Sequence, residues 1–401
     1  MFDFGIGNLT KHKNFNSLKE KKIALVCHPA SVTNDLKHSL DYLINDLKLN
    51  VSCIFSPQHG FFSEEQDNMI ESSHATHPEY NIPIFSLYGD QRKPTDEQLD
   101  YFDVCLFDLQ DIGGRVYTYI TTLKYMMEAC SKKNKILWVL DRPNPSLRAI
   151  EGNYLNVEQF ESFVGAAKIP MRHGLTIAEM SKFFKELYQL DLELEISPCS
   201  FSSNYFSTPF NNSWNLSSNH WVSPSPNIPT LDCALAFPGT VLLEGTTISE
   251  GRGTTLPLLT VGYPGFKFNN FIQNIPKNLL NSTLFRPCSF KPTFQKHAQK
   301  LCSGFQFHFN YSNFKVNAFY PYRIIALLIK EYVKHNDINT IWNTHKYEYE
   351  TKHLAIDYIS GSDFLRKWIE NKDSNFDELD HYLKQDELAW TELSQQFYIY
   401  H

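Results

Sequence analysis

The first 150 residues alternate short apolar runs with segments of helical periodicity, and this alternation limits the possible folds more than any other feature. The apolar runs that we predict to be strands are 22–27, 51–55, 83–87, 103–108 and 135–140. Between them, apolar residues at helical spacing predict helices over 36–47 and 118–130. Continuous apolar strands separated by helices are typical of a parallel sheet with helices on both faces. We therefore expect an α/β fold with a Rossmann-like parallel sheet.

The rest of the chain indicates a second, smaller domain. The chain has 401 residues, whereas a single domain typically spans about 100–200. A predicted helix over 176–188 and a predicted strand over 190–196 continue the α/β pattern, but beyond Pro264 the sequence is rich in Phe and alternates less regularly. We predict a Rossmann-like domain over 1–260 and a C-terminal α+β auxiliary domain over 261–401.

Composition and missing motifs disfavour several classes of protein. The net charge of −7 does not favour nucleic acid binding, and no apolar run approaches the ~20 residues of a membrane span. The sequence has no G-x-G-x-x-G, Walker, H-E-x-x-H or G-x-S-x-G motif. Its eight Cys form no C-x-x-C pair, and several lie in apolar runs. We therefore expect free, buried thiols typical of a reducing compartment, and no metal site.

Polar side chains follow the predicted strands at their carboxyl ends, where open α/β sheets bind ligands. The candidates in these loops and in the turns beyond them are Gln58, His59, Glu71, Asp108, Asp111, Arg115, Tyr117, Tyr119, Asp141, Arg142, Asn144, Glu151, His173, Glu244, Glu250 and Arg252. Carboxylates in this set could transfer protons, and the amides, Arg, His and Tyr suit a polyhydroxylated or anionic sugar.

Each candidate also has a simple structural role open to it. Asp111 and Arg115 are four residues apart and would pair with each other on a helix. Tyr117 would line a sugar subsite or pack in the core, and His59 would orient a substrate or only stabilise a turn. The glycine-rich turn around Arg252 would hold an anion or be a plain turn.

Several long motifs carry a resemblance to a known family. They are SPQHGF (56–61), FSLYG (85–89), DLQDIGGRVYTYI (108–120), LDRPNP (140–145), EGNYL (151–155), FVG (163–165), IPMRHGLTIAE (169–179), WVSPSPNIPT (221–230), EGTTISEGRGTTLP (244–257), YEYE (347–350) and AIDYISG (355–361). With these motifs in this order over nearly the whole chain, the sequence resembles the bacterial exo-β-N-acetylmuramidases of glycoside hydrolase family one hundred seventy-one, long described as a domain of unknown function.

The resemblance implies a catalytic Rossmann-like domain, a smaller auxiliary domain and an active-site cleft between them. It implies exo-cleavage of N-acetylmuramic acid from the non-reducing end of peptidoglycan-derived sugars, where it is β-1,4-linked to N-acetylglucosamine, without a cofactor or metal. The catalytic residues would come from Gln58, His59, Glu71, Asp108 and Asp111. The other candidates and Asn227 would bind the substrate, and the lactyl carboxylate of muramic acid would suit Arg115, Arg142, Arg172 or Arg252.

One departure from the family pattern concerns position 58. The commoner family motif reads S/G-P-E-H-G-F, and its Glu is a candidate catalytic acid, whereas the amide of Gln58 cannot deliver a proton. Glu64 or Glu71 would then replace that acid, or Asp108 or Asp111 would be the essential group. Two further functions stay open: a pseudoenzyme that binds muramic sugars, and a Rossmann-like transferase that uses a nucleotide sugar.

A second departure concerns the cell compartment. The resemblance implies action outside the cytoplasm, but the N-terminal sequence MFDFGIGNLTKHKNF has neither a long apolar region nor a cleavage signal. We expect a cytoplasmic protein that processes recycled cell-wall fragments, or a periplasmic or secreted one if a signal has been removed.

Overall fold

The computed structural model describes residues 2–63, 65, 70–89, 91–201, 219–309, 315 and 318–400. The strands of this part of the chain are β1 (Phe2–Asp3), β2 (Lys22–Val26), β3 (Asn50–Ser56), β4 (Ala75–Thr76), β5 (Pro83–Ser86), β6 (Val104–Phe107), β7 (Ile136–Leu140), β8 (Ile150–Glu151), β9 (Arg172–His173), β10 (Leu194–Ser197), β11 (Ser200–Phe201), β12 (Thr260–Tyr263), β13 (Thr283–Phe290) and β14 (Cys302–Phe309). The helices are α1 (Gly5–Asn8), α2 (Ser39–Asp41), α3 (Asp96–Leu99), α4 (Tyr119–Lys132), α5 (Val157–Phe160), α6 (Ile177–Leu187), α7 (Leu231–Thr240), α8 (Phe268–Gln273), α9 (Pro321–His335), α10 (Ala355–Ser360), α11 (Phe364–Glu370) and α12 (Phe376–Ser394).

The largest sheet of the described chain has the strand order β10-β7-β6-β2-β3-β5-β4. Every neighbouring pair runs parallel except β4 and β5, which are antiparallel at one edge. The six parallel strands follow the usual Rossmann order, in which the chain reverses direction across the sheet between β2 and β6. The predicted Rossmann-like α/β fold is confirmed.

The centre of this sheet is fully apolar because helices cover both faces. Residues 23–26 of β2 and 104–107 of β6 are all buried. Helices α4 and α6 pack against β7 and against each other. Since the strands have little polar surface of their own, the chemistry of this fold is left to the loops at the strand ends.

The C-terminal part contains an antiparallel sheet in the order β12-β14-β13. Its Phe residues form an apolar layer in which the ring of Phe305 stacks on Phe271 at 5.1 Å and meets the edge of Phe285 at 4.9 Å. Helix α9 packs against α7, which joins this part firmly to the segment before it. The domain boundary at residue 260 stays a prediction, and no described helix is long and apolar enough to cross a membrane.

Two predicted segments differ from the structure. The helix predicted over 36–47 begins only at Ser39 and continues as a π-helical turn over Tyr42–Asp46, because Leu36 has a left-handed backbone with φ 66° that ends regular helix on its N-terminal side. Much of the loop predicted over 200–230 lies outside the described residues. Its first residues form β11, which pairs with β1.

Candidate active site

A cleft opens at the carboxyl end of β3. Its walls come from five chain segments that are far apart in sequence. The lining residues are Gln58, His59, Val116, Tyr117, Thr118, Val164, Ser225, Asn227, Ile228, Phe237, Val241, Glu244, Arg252, Leu258, Tyr347 and Glu348. The cleft therefore combines the polar loop after β3, the segment that enters α4, and the segments around α7 and before α10.

The side chain of His28 occupies the point between β2 and β6 where the strand order reverses. His28 follows β2, and its Nε2 accepts the backbone N–H of Gln110 at 3.0 Å. The imidazole also stacks on the ring of Tyr119 at 5.1 Å, and burial lowers the pKa of His28 well below its usual value. The ring is therefore a neutral acceptor in the core. The open cleft lies one strand to the side, at β3.

Gln58 and His59 form the turn that ends at the cleft. The hydroxyl of Thr118 donates to Oε1 of Gln58 at 2.9 Å. Nδ1 of His59 lies 2.8 Å from the carbonyl oxygen of Glu65, which can only accept, so Nδ1 carries the proton. Burial lowers the pKa of His59 to about 4. The neutral ring therefore leaves Nε2 as a hydrogen-bond acceptor, suited to a sugar hydroxyl or a water.

Tyr117 supplies an aromatic wall to the cleft. Its ring meets the edge of Phe237 at 5.5 Å and that of Tyr119 at 4.7 Å. The hydroxyl of Tyr117 is buried without a hydrogen-bond partner among the described residues. A bound polar ligand would satisfy this group. Tyr119 packs against Tyr117 outside the cleft lining, and its hydroxyl donates to the carbonyl of Pro224.

A carboxylate and a guanidinium meet on the opposite wall. Nη2 of Arg252 donates to Oε1 of Glu244 at 2.5 Å, and the hydroxyl of Tyr347 donates to Oε2 at 2.8 Å. Behind them, Oε1 of Glu250 lies 3.4 Å from Nε of Arg252, and Oε2 accepts from Lys296 at 2.7 Å. Burial opposes the charge on Arg252, but Glu244 and Glu250 raise its pKa above the usual value. Arg252 therefore stays a fixed cation in the cleft.

Glu348 is a second cleft carboxyl, and it was absent from the sequence-predicted candidates. Only 4% of its surface is exposed. Its Oε1 accepts from the hydroxyl of Tyr88 at 2.9 Å, and Oε2 accepts from Nη2 of Arg92 at 2.7 Å. Burial raises the pKa of Glu348, while Arg92 opposes the rise. The YEYE motif contains this residue, but nothing in its local sequence distinguishes Glu348 from Glu350.

The structure places Asp108 and Arg142 outside this cleft, and their part in catalysis or substrate binding stays a prediction. Nε and Nη2 of Arg142 donate to the two carboxylate oxygens of Asp108 at 2.6 and 3.1 Å. Ser39 also donates to this carboxylate, and Arg142 donates to the carbonyl of Val32. Both side chains are fully enclosed. Their mutual pairing and hydrogen bonds offset the cost of burying two charges. The pair links the loops that follow β6 and β7.

Asp141 and Asn144 make hydrogen bonds that hold neighbouring segments together. Asp141 accepts from the backbone N–H of Ala178 at 3.0 Å, from Thr176 at 2.8 Å and from the hydroxyl of Tyr400 at 2.6 Å. It thereby anchors the start of α6. Asn144 accepts from the backbone N–H of Ser146 at 2.8 Å and donates to the backbone carbonyl of Leu175 at 3.0 Å, which ties its turn to the segment before α6. Both residues are buried away from the cleft.

Arg115 and Glu151 join the two halves of the chain. Within the described part of the chain, Arg115 donates to backbone carbonyls, at 2.9 Å to Asn153, 3.0 Å to Ile169 and 3.0 Å to Ile359. Burial lowers the pKa of Arg115 to about 10. Glu151 accepts the first backbone N–H groups of α9, which need an acceptor at a helix start. Neither side chain lines the cleft, and a substrate-binding role for either stays a prediction.

The remaining predicted residues lie around the cleft without lining it. Oδ2 of Asp111 lies 3.4 Å from Nε2 of His173, and both are buried. Glu71 is exposed and accepts from the hydroxyl of Tyr349. Glu250 supports Arg252 from behind, and Glu64 lies outside the described residues. The cleft therefore contains only these predicted residues: Gln58, His59, Tyr117, Asn227, Glu244 and Arg252.

The family comparison covers both halves of the chain. The family model described as "Exo-beta-N-acetylmuramidase NamZ, N-terminal" matches residues 23–232, and the one described as "Exo-beta-N-acetylmuramidase NamZ, C-terminal" matches residues 235–400. Among the described residues, no group of three or more His, Cys, Asp or Glu side chains is arranged to hold a metal ion.

Comparison with individual known proteins indicates the same family. The chain is 37% identical over 305 residues to the peptidoglycan β-N-acetylmuramidase NamZ of Bacillus subtilis strain 168, covering 73% of this chain and 69% of that protein. Two crystal structures of DUF1343 family proteins from Bacteroides fragilis NCTC 9343 also match. One has a TM-score of 0.85 at 27% identity and the other 0.73 at 26%, and each alignment covers 100% of this chain and 99% of the other. The chain therefore belongs to the NamZ family of exo-β-N-acetylmuramidases.

Proposed function

We propose that this chain is a glycoside hydrolase that releases N-acetylmuramic acid from the non-reducing end of peptidoglycan-derived sugars at the cleft beside β3. The observation that supports this most directly is the pair of carboxyl groups, Glu244 and Glu348, in one cleft. Glycoside hydrolysis commonly uses two such groups in different environments. Neutral His59, the amide of Gln58 and the ring of Tyr117 supply contacts for the hydroxyl, acetamido and apolar faces of a sugar.

The lactyl carboxylate distinguishes muramic acid from glucosamine, and we propose Arg252 as its partner. Of the four arginines considered from the sequence, Arg252 alone lines the cleft. Arg115 and Arg172 donate to backbone carbonyls in the core, and Arg142 is paired with Asp108. Arg252 is a buried cation in the cleft lining, and a guanidinium recognises carboxylates well.

The alternative is a protein that binds muramic sugars without cleaving them. Gln58 favours this alternative, because an amide at this position cannot act as a general acid. A nucleotide-sugar transferase has less support, since the sequence has no phosphate-binding fingerprint and His28 fills the point where the strand order reverses.

The deciding experiment is hydrolysis of 4-nitrophenyl β-N-acetylmuramic acid by the purified full chain, beside the N-acetylglucosamine analogue. We expect release from the muramic compound and much less from the analogue. No release from either by the folded protein, together with calorimetric binding of the muramic sugar, would establish the binding protein instead. Thermal stabilisation by nucleotide sugars alone would support the transferase.

We further infer that the chain works in a reducing compartment, the cytoplasm. All eight cysteines are free, and every one except Cys288 is buried. Free buried thiols are typical of proteins kept in reducing surroundings. Activity measured in separated cytoplasmic, periplasmic and culture-fluid fractions of the source cells tests this, and activity mainly in the culture fluid would contradict it.

A further inference from the structure

We propose that Glu348 is the acid that protonates the leaving sugar oxygen, in place of the carboxyl that position 58 lacks. This inference rests on the proposed function. Glu244 and Glu348 are the carboxyl groups among the described lining residues. Glu244 is the ion-pair partner of Arg252, the proposed partner of the lactyl carboxylate, and its other oxygen accepts from Tyr347. Glu348 is therefore the better placed proton donor.

The surroundings of Glu348 suit a group that gives up a proton and takes it back. Burial raises the pKa of Glu348, and the nearby charge of Glu244 acts in the same direction. Arg92 and Tyr88 oppose the rise and donate to its oxygens. Burial thus favours the acid before the reaction, and the two donors stabilise the carboxylate that the reaction leaves behind.

The backbone at Glu348 is held in an unusual turn. Tyr347 and Glu350 exchange two backbone hydrogen bonds, at 3.3 and 2.9 Å, and close a two-residue loop. Its central residues, Glu348 and Tyr349, have φ values of 50° and 68°. This pattern is that of a type I′ turn, which normally takes Asn-Gly or Gly-Gly because side chains are unfavourable there. Such unfavourable backbone conformations tend to persist at functional sites.

The step balances with water as the only co-reactant. As the bond between the anomeric carbon and the glycosidic oxygen breaks, the oxygen keeps the bonding electrons and takes the proton of Glu348. Water then bonds to the anomeric carbon and loses one proton, which restores the acid form of Glu348. The net change is addition of one water across the glycosidic bond, and no group is oxidised or reduced.

The test compares two leaving groups in Glu348→Gln. A sugar alcohol leaves only when protonated, whereas 4-nitrophenolate is a stable anion that needs little help. We expect kcat/KM for the muramic acid–N-acetylglucosamine disaccharide to fall about 10³-fold, and for the 4-nitrophenyl glycoside to fall less than about tenfold. Glu350→Gln is the matched control, because this Glu lies in the same turn but outside the lining, and it should keep wild-type rates.

Equal losses on both substrates, or wild-type rates on the disaccharide, would overturn the inference. A second variant keeps it testable if Glu348→Gln misfolds. Tyr88→Phe removes a donor that lowers the pKa of Glu348, so the alkaline limb of the disaccharide pH profile should move to higher pH. An unmoved limb counts against Glu348. If the wild type is inactive on both substrates, the proposed function itself is contradicted. If the wild type is active but Glu348→Gln loses kcat/KM equally on both substrates, only this inference is contradicted.

Discussion

The hydroxyl of Thr118 donates a hydrogen bond of 2.9 Å to the side-chain oxygen of Gln58. In this arrangement the amide oxygen faces the Thr118 hydroxyl. With its oxygen engaged, the amide keeps two N–H donors for other partners. A donor at this point of the cleft suits the carbonyl oxygen of an N-acetyl group, so Gln58 retains a binding role although it cannot supply a proton.

The contact can be tested with a double-mutant cycle. Thr118→Val and Gln58→Ala should each lower kcat/KM for the muramic glycoside about five- to tenfold. The first removes the hydroxyl that orients the amide, and the second removes the amide itself. The double variant should be no worse than Gln58→Ala alone, since the hydroxyl acts through the amide. Thr121→Val is the matched control, because the Thr121 hydroxyl is buried without a hydrogen bond among the described residues. Additive losses in the double variant would contradict this orientation.

Arg252→Lys should weaken discrimination between the two sugars. Lys keeps the charge but cannot hold Glu244 and present a second N–H to the lactyl carboxylate at the same time. We expect kcat/KM for the muramic compound to fall about 10- to 100-fold and that for the N-acetylglucosamine analogue to fall less. The ratio of the two rates is the measurement. Arg286→Lys, on the exposed strand β13, is the control, and an unchanged ratio in Arg252→Lys would remove Arg252 from substrate recognition.

The fold is predictable from the sequence because its signals are local. The strands β2, β3, β5, β6 and β7 are runs of four to seven residues in which apolar side chains predominate, and their burial depends little on which residues come next. The parallel order then follows from the crossover helices, because connections between parallel strands of one sheet are almost always right-handed. The helix start predicted at Thr176 is local in the same sense, since its capping partner Glu179 is three residues away.

The site is less predictable because its contacts are distant in sequence. Asp108 has the position of a ligand-binding acid, but Arg142 lies 34 residues away and Ser39 lies 69 residues away, and together they satisfy it. Glu348 shows the reverse case. Its partners Tyr88 and Arg92 are 260 and 256 residues distant, so no local pattern could assign it to the cleft.

Asp141 should make the stability of the protein depend on pH. Burial raises the pKa of Asp141 to about 7, although Tyr400, Ala178 and Thr176 donate to it and oppose the rise, while Glu179 adds to it. The folded state therefore holds this proton more tightly than the unfolded state. The resulting stabilisation is present below pH ~4 and is lost as the pH rises through ~7, by about 4 kcal/mol in total.

The measurement is urea unfolding of the wild type and Asp141→Asn at pH 4.5 and pH 8. Other groups titrate in this range, so the informative quantity is the difference between the two proteins at each pH. The wild type should lose stability relative to the variant as the pH rises, because Asn has no proton to release. Parallel pH profiles of the two proteins would show that Asp141 does not titrate in this window.

Neither Asp108→Asn nor Glu71→Gln should abolish turnover, which is the effect expected when a catalytic residue is replaced. Removing the charge of Asp108 leaves the Arg142 guanidinium buried without its counter-ion, which should lower the free energy of unfolding by about 3–5 kcal/mol. Turnover per folded molecule should stay within about twofold of wild type, because neither residue of the pair reaches the cleft. Glu71→Gln should change neither stability nor turnover appreciably, since Glu71 is exposed and a Gln oxygen can still accept from Tyr349. Urea unfolding and disaccharide hydrolysis, each corrected for the folded fraction, separate the two effects. If Asp108→Asn instead folds with wild-type stability but loses turnover, Asp108 belongs to the reaction and the cleft beside β3 is not its site.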